Sequence, residues 1–401
     1  MNPTRRGIRR AWLLSAVLAF ALPRAAVPDV RAPAAHAPHP QLAIWCEFMP
    51  YRQVLGALPD LARYDCALLL HVGPDDVGNA DLARVCRAAR SNGVEVAAWF
   101  LLPYKEHLYV GEASLEPTRD LARRFAAWSR QEQLGLEWVV FDCEPSPLLG
   151  RRLFECVRRG QVFKLARVLR SETDPERFAQ AVRELNDLID ELHGQGFRVM
   201  GAANRVFLDF LRRGHTSIED ALNAPFSMVR WDRISFITYR YHATQVQYVA
   251  MVNRYAALAA RYFGERAGLD LGLLGDQRGI PEHRTRAELF GGGDAFLGYL
   301  QGMRSVYDLR EVVAVALGRG VQHINLYSLE GAVGSVAGLD LWLKAASESE
   351  PVTGLARWTP VGTAKMGFMG FLLNGLFTTM VGHTHPSPAV PPAAVAPDPQ
   401  P

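Results

Sequence analysis

The chain has 401 residues, of which 49% are hydrophobic and 21% charged, enough apolar material to bury a sizeable core and exclude wholesale disorder. Lys and Arg (44) nearly balance Asp and Glu (41) for a net charge of +3, which argues against an electrostatic nucleic-acid binder. Five cysteines without CxxC spacing exclude a zinc ribbon and a dense disulfide framework, and the odd number leaves at least one thiol unpaired within the chain.

In chain order, residues 1–26 read as an export signal peptide. Arg5, Arg6, Arg9 and Arg10 form a positive start, Ala11 to Leu22 a short apolar run, and Ala25 and Ala26 a small-residue cleavage point. Arg9 and Arg10 also give a weak twin-arginine look. The apolar run is too short to span ~30 Å of hydrocarbon, so a cleaved leader is expected and the mature chain is exported to the periplasm, the cell surface or the medium. Residues 27–40, with Pro28, Pro33, Pro38 and Pro40, read as an extended linker.

From 41 to 350, short apolar runs alternate with amphipathic helical stretches. Strands are predicted at Leu42–Phe48, Cys66–Val72, Val94–Leu101, Leu136–Phe141, Arg198–Ala203, Arg233–Tyr239, Asp270–Leu274 and Gln322–Tyr327. Most are apolar on both faces, as strands buried between a barrel interior and an outer helix layer must be. Helices are predicted at Asp81–Asn92, Arg119–Gln131, Pro175–His193, Gln245–Phe263 and Val306–Gly318, with Asp174 capping the third ahead of Pro175. The pattern is that of an α/β protein of the (β/α)8 barrel class. A doubly wound sheet would need a Gly-rich phosphate turn after an early strand, and Gly291-Gly292-Gly293 sits in a late loop instead.

Residues 361–382 read as an apolar C-terminal helix. Within it Met366 to Val381 is polar only at Asn374, Thr378 and Thr379. It falls short of ~20 apolar residues, so packing on the main domain is favoured over peripheral membrane contact through 366–381. The Pro/Ala-rich tail, 383–401, has too few core-forming residues to fold.

A barrel carries its active site at the C-terminal ends of its strands. The fourth strand runs Glu137-Trp138-Val139-Val140-Phe141-Asp142-Cys143-Glu144. Positions i and i+2 of a strand share a face, so Asp142 and Glu144 are neighbours above the barrel mouth. Two carboxylates that close are expected to share a proton held towards neutral pH, which suits a general acid acting on a glycosidic oxygen. The plainer alternative is a surface pair bound to Arg205 or Arg240. Other strand ends carry Trp45 and Glu47, His71, Trp99, Asn204, Tyr239-Arg240-Tyr241, Asp276, and Tyr327 with Glu330. Aromatic rings and polar groups around an acidic mouth suit a sugar, whose C–H faces stack while its hydroxyls meet Asp, Asn and Arg.

An apolar fourth strand ending in Asp-x-Glu resembles the chitinase-type barrels of glycoside hydrolase family 18. Hyaluronidases and family 25 lysozymes carry a similar motif. The resemblance implies Glu144 as the acid and Asp142 as the residue that orients an N-acetyl group for substrate-assisted attack. It also implies Tyr239 as a hydrogen-bond donor to the acetamido oxygen. The chain departs from the family pattern Asp-x-x-Asp-x-Asp-x-Glu at Glu137 and Val140, from Met-x-Tyr-Asp at Ile237 and Arg240, and in lacking an eighth-strand tryptophan.

The function read here is cleavage of a glycosidic bond in a polysaccharide, N-acetylated or not, by carboxylate general-acid catalysis without a cofactor. If the enzyme uses a protein nucleophile, Glu47, Asp276 and Glu330 are the candidate second carboxylates, Glu330 first. Two alternatives stand beside this: a barrel that binds glycan without catalysis, and a divalent-metal hydrolase or isomerase with His71, Glu47, Asp142 and Glu144 as ligands. His383 and His385 alternate suitably for a metal but fall in the tail. No Gly-x-Ser-x-Gly elbow is present. Cys46, Cys86 and Cys143 read as small buried hydrophobes, and Cys46 and Cys66, on adjacent strands, could pair as a disulfide.

Overall fold

A computed structural model describes residues 39–103, 108–240, 243–277, 280, 283, 302–303 and 305–352. The expected leader, C-terminal helix and tail lie outside these residues. So do Tyr241, the triple glycine, the His383/His385 pair and all of the expected linker except residues 39 and 40. Among the described residues no helix is long and apolar enough to cross a membrane.

Eight strands pair in sequence order, all in parallel, and β8 closes on β1. They are β1 (Gln41–Cys46), β2 (Cys66–Val72), β3 (Val96–Phe100), β4 (Trp138–Cys143), β5 (Arg198–Asn204), β6 (Arg233–Tyr239), β7 (Ala267–Gly272) and β8 (His323–Tyr327). The described helices are α1 (Tyr51–Arg63), α2 (Ala80–Ser91), α3 (Leu115–Gln131), α4 (Pro147–Arg158), α5 (Val162–Glu172), α6 (Pro175–Gly194), α7 (Val206–Leu211), α8 (Ser217–Ala221), α9 (Gln245–Phe263), α10 (Val306–Gly318), α11 (Leu329–Val333) and α12 (Gly338–Ser347). The architecture is the (β/α)8 barrel.

Local chemistry explains the best-defined helix starts. Asp174 accepts the Arg177 amide at 3.1 Å while Pro175 presets the first turn of α6. Thr244 and Gln247 exchange side-chain and backbone hydrogen bonds to open α9.

Strand alternation sorts the core into two layers. Ile44, Leu68, Leu70, Phe141, Phe236, Leu269 and Leu326 face the helices, whereas Ala43, Trp45, Leu69, Ala97, Trp99, Trp138, Val140, Met200, Ala202 and Tyr327 fill the barrel. At the N-terminal end of the barrel, the Trp138 ring packs against the Arg198 and Arg233 guanidiniums at 4.4 and 4.5 Å.

Several strand boundaries differ from the sequence reading by one to three residues, and two of these shifts bear on the site. β4 runs two residues further, to Cys143, so Asp142 lies inside the strand rather than beyond it. β7 begins three residues earlier, at Ala267. Gly268 masks that start, since a glycine weakens a strand pattern, yet a Cβ there would lie 3.2 Å from that of His323.

The disulfide between Cys46 and Cys66 does not form. Register pairs Cys46 with Leu70 and Cys66 with Leu42, a stagger of four residues, or ~13 Å along the strands. All five cysteines are buried and free. Burial pushes the Cys46, Cys66, Cys86 and Cys143 thiols well up, so none of these four is a ready nucleophile.

Candidate active site

Asp142 continues the inward-facing series Trp138, Val140 and is itself buried. Glu144 takes the next position of that alternation as the chain leaves β4, and is half-buried. Cys143, between them, belongs to the outer layer. The two arginines that a plain surface pair would use are engaged elsewhere. Arg240 meets Asp308 at 2.8 Å and the Ala243 carbonyl at 3.1 Å, which ties it to α10 rather than to the mouth. Arg205 donates to the Ile237 carbonyl at 3.2 Å.

The wall formed by β8, β1, β2 and β3 brings together five of the candidates, and β6 adds a sixth. Tyr327 donates its hydroxyl to the buried Glu47 carboxylate in a short hydrogen bond. His71 Nδ1 lies 3.1 Å from the Glu47 carbonyl oxygen, so Nδ1 is the donor there. Trp45 and Trp99 pack edge to face with centroids 4.7 Å apart, and His71 sits 6.2 Å from Trp99. Tyr239, at the end of β6, packs on Tyr327 at 5.1 Å across β7. Gly272 permits this, because a Cβ there would approach the Tyr327 carbonyl oxygen to 2.7 Å and the Tyr239 ring to 3.2 Å.

The remaining candidates are placed differently. Asn204 accepts the Val206 amide at 3.1 Å and helps start α7. Asp276 is exposed. Glu330, the first-choice second carboxylate, accepts three backbone amides with one oxygen, from Glu47, Phe48 and Met49 at 2.7, 2.7 and 3.0 Å. It clamps the loop after β1 and so holds Glu47 in place. Glu330→Ala is expected to lose ~2–4 kcal/mol, because it strands three backbone amides that now share one carboxyl oxygen. Thermal unfolding measures this, and an unchanged melting temperature would show the clamp to be dispensable.

One interior group escaped the sequence reading. Asp270, fully buried in β7, accepts Ser235 Oγ at 2.6 Å, Asn325 Nδ2 at 2.7 Å and Trp45 Nε1 at 3.2 Å, all on Oδ1. Asn325 Nδ2 also reaches Ser235 Oγ at 2.9 Å. Burial pushes the Asp270 carboxyl up to about 6, against the opposing pull of its three donors. Asp270 Oδ2 and Trp99 Nε1 are buried without a hydrogen-bond partner among the described residues. The network fixes the Trp45 indole at the base of the mouth. The signal in the sequence was a lone aspartate between leucines, Leu269-Asp270-Leu271, and placing it at a strand start concealed that it was internal.

Among the described residues no three His, Cys, Asp or Glu side chains are grouped to hold a metal, so His71, Glu47, Asp142 and Glu144 do not form a ligand set. No family model and no curated protein matches the chain. Solved structures similar to it include the PgaB (BpsB) glycoside hydrolase domain from Bordetella bronchiseptica, at 13% identity and a TM-score of 0.45, covering 78% of this chain and 99% of that one. The endo-beta-1,4-mannanase from Thermotoga petrophila is similar at 8% identity and a TM-score of 0.47, covering 86% and 77%. D-psicose 3-epimerase from Clostridium cellulolyticum is similar at 9% identity and a TM-score of 0.35, covering 85% and 99%. These likenesses say nothing of the chemistry, and the barrel rests on its own strand pairing.

Proposed function

We propose that the protein is a carbohydrate-active barrel that cleaves a glycosidic bond, with Glu144 as general acid and Asp142 as its partner. The observation that carries this reading is the place of Asp142 in the inward-facing series of β4, with Glu144 two residues on, just as the chain leaves the strand at its C-terminal end. Trp45, Trp99, Tyr239 and Tyr327 supply ring faces for a sugar, and Glu47 and His71 supply polar contacts.

In the chitinase-type version, Asp142 orients an acetamido group whose oxygen attacks the anomeric carbon. Glu144 protonates the leaving oxygen, and Tyr239 hydrogen-bonds the acetamido oxygen. In a protein-nucleophile version Glu47 is the second carboxylate, since it lines the mouth, whereas Glu330 is committed to the loop amides. A glycan-binding barrel without turnover draws support from Val140, a fully buried apolar residue where the family pattern has an inner aspartate.

The test is turnover of fluorogenic chito-oligosaccharides, other aryl glycosides and peptidoglycan by the purified chain. Release of fluorophore or reducing ends supports the reading. Binding across the panel with no turnover supports the glycan-binding alternative and removes the hydrolase.

A further inference from the structure

We propose that α4 and α5 form a docking surface for an anionic lipid bilayer, on the same side of the barrel as the mouth. A barrel strand needs one following helix, and α6 occupies that place after β4. The two helices before it are an insertion that leaves the C-terminal end of β4 directly from Asp142 and Glu144.

Residues 147–172 carry seven Lys and Arg against two Glu, a net of +5 where the whole chain has +3. Both glutamates are already used, Glu172 by Arg152 at 2.7 Å and Glu155 by Arg159 at 3.8 Å. Lys164, Arg167 and Arg170 are exposed and make no ion pair among the described residues. Positions 163, 167 and 170 share one face of a helix, so Arg167 and Arg170 line up with Phe163, while Val168 is buried.

Phe163 is 85% exposed, and Leu148 and Val162 are 56% and 41% exposed. Phe163 and Val162 on the same helix as unneutralised cations, with Leu148 exposed on the preceding helix, suit an interface in which rings and aliphatic groups enter the acyl boundary and cations meet lipid phosphates. An acidic polysaccharide would satisfy the cations and Phe163, but Leu148 and Val162 offer it no flat face to stack on. The mixture of aliphatic and aromatic groups therefore favours the bilayer. Docking there sets the mouth close to the membrane.

The test is co-sedimentation of the full chain with phosphatidylcholine vesicles, with and without phosphatidylglycerol. Binding is expected only with phosphatidylglycerol, and is expected to weaken at about 1 M salt, where the screening length falls to about 3 Å. Phe163→Ser, and the double change Arg167→Glu with Arg170→Glu, are each expected to lower partitioning about tenfold or more. All three positions are exposed, so the variants should keep the fold, which far-UV circular dichroism checks. No binding by the wild type, or binding that survives both changes and so belongs to another segment such as 366–381, overturns the proposal. Binding to an acidic polysaccharide but not to vesicles overturns it as well.

Discussion

Glu144→Gln is expected to lower kcat by about 10²–10⁴ on any glycan the protein turns over, with little change in ground-state binding. The amide keeps the size and the hydrogen-bonding reach of the acid but cannot release a proton to a leaving oxygen. Loss in kcat without a matching rise in KM separates a transition-state role from a contact made equally in substrate and transition state. Asp142→Asn should also be slow, and combining the two changes should cost less than the sum of the single losses, because the groups act as one unit. Steady-state kinetics of the three variants check this, and a Glu144→Gln protein with wild-type kcat removes the assignment of the acid.

The second large effect concerns Asp270→Asn. The native carboxyl is pushed up to about 6, while the unfolded chain releases the same proton near ~3.9. A raised folded value means the contribution to stability is fully present below ~4 and is lost as pH rises through about 6. The substituted amide cannot titrate, yet it presents an acceptor oxygen beside a donor group, as the protonated acid does. The variant's stability relative to wild type should therefore rise between pH ~4 and ~7, by on the order of 2–3 kcal/mol.

Glu112 and Glu219, both pushed up to about 7 by burial, slope in the same direction as Asp270, and His323, lowered to about 4 by burial, slopes in the opposite one. All three are present in both proteins and cancel in the difference. The groups that touch the Asp270 carboxylate are Ser235, Asn325 and Trp45. Arg233 and His323 are the ionisable inward positions next below Ser235 and Asn325 on β6 and β8, and they too are common to both proteins. Denaturant unfolding across this range gives the two curves. Curves that stay parallel would mean that Asp270 keeps an ordinary carboxyl. Asp270→Ala, in contrast, strands the Trp45, Ser235 and Asn325 donors at about 1–3 kcal/mol apiece and should unfold at lower temperature at every pH.

The barrel was legible because strands buried on both faces read as unbroken apolar runs, and five helices between them carry clear 3.6-residue patterning. Asp142 was found for the reason that also blurred its setting: a charged residue after Phe141 looks like the end of a strand, although β4 carries it as an inward-facing member. Glu47, His71, Trp99 and Tyr327 were found because they stand at the C-terminal ends of strands, where a barrel carries its site. Glu330 reads locally as a residue at a helix start, and nothing near it in sequence announces amide partners more than 280 positions away. Asp270 escaped because a buried polar network leaves no periodic signature. Arg240 looked like a site residue because it follows Tyr239, yet alternation turns it away from the mouth towards Asp308.

The measurement that bears most directly on proton donation is the leaving-group dependence of the Glu144→Gln protein. A 2,4-dinitrophenyl glycoside departs as a stable phenolate and needs no proton, whereas an alkyl or sugar leaving group does. The expected result is a deficit that is large on the natural linkage and nearly vanishes for the bond-breaking step of the dinitrophenyl substrate. An equal deficit on both, or none on either, would contradict proton transfer from Glu144.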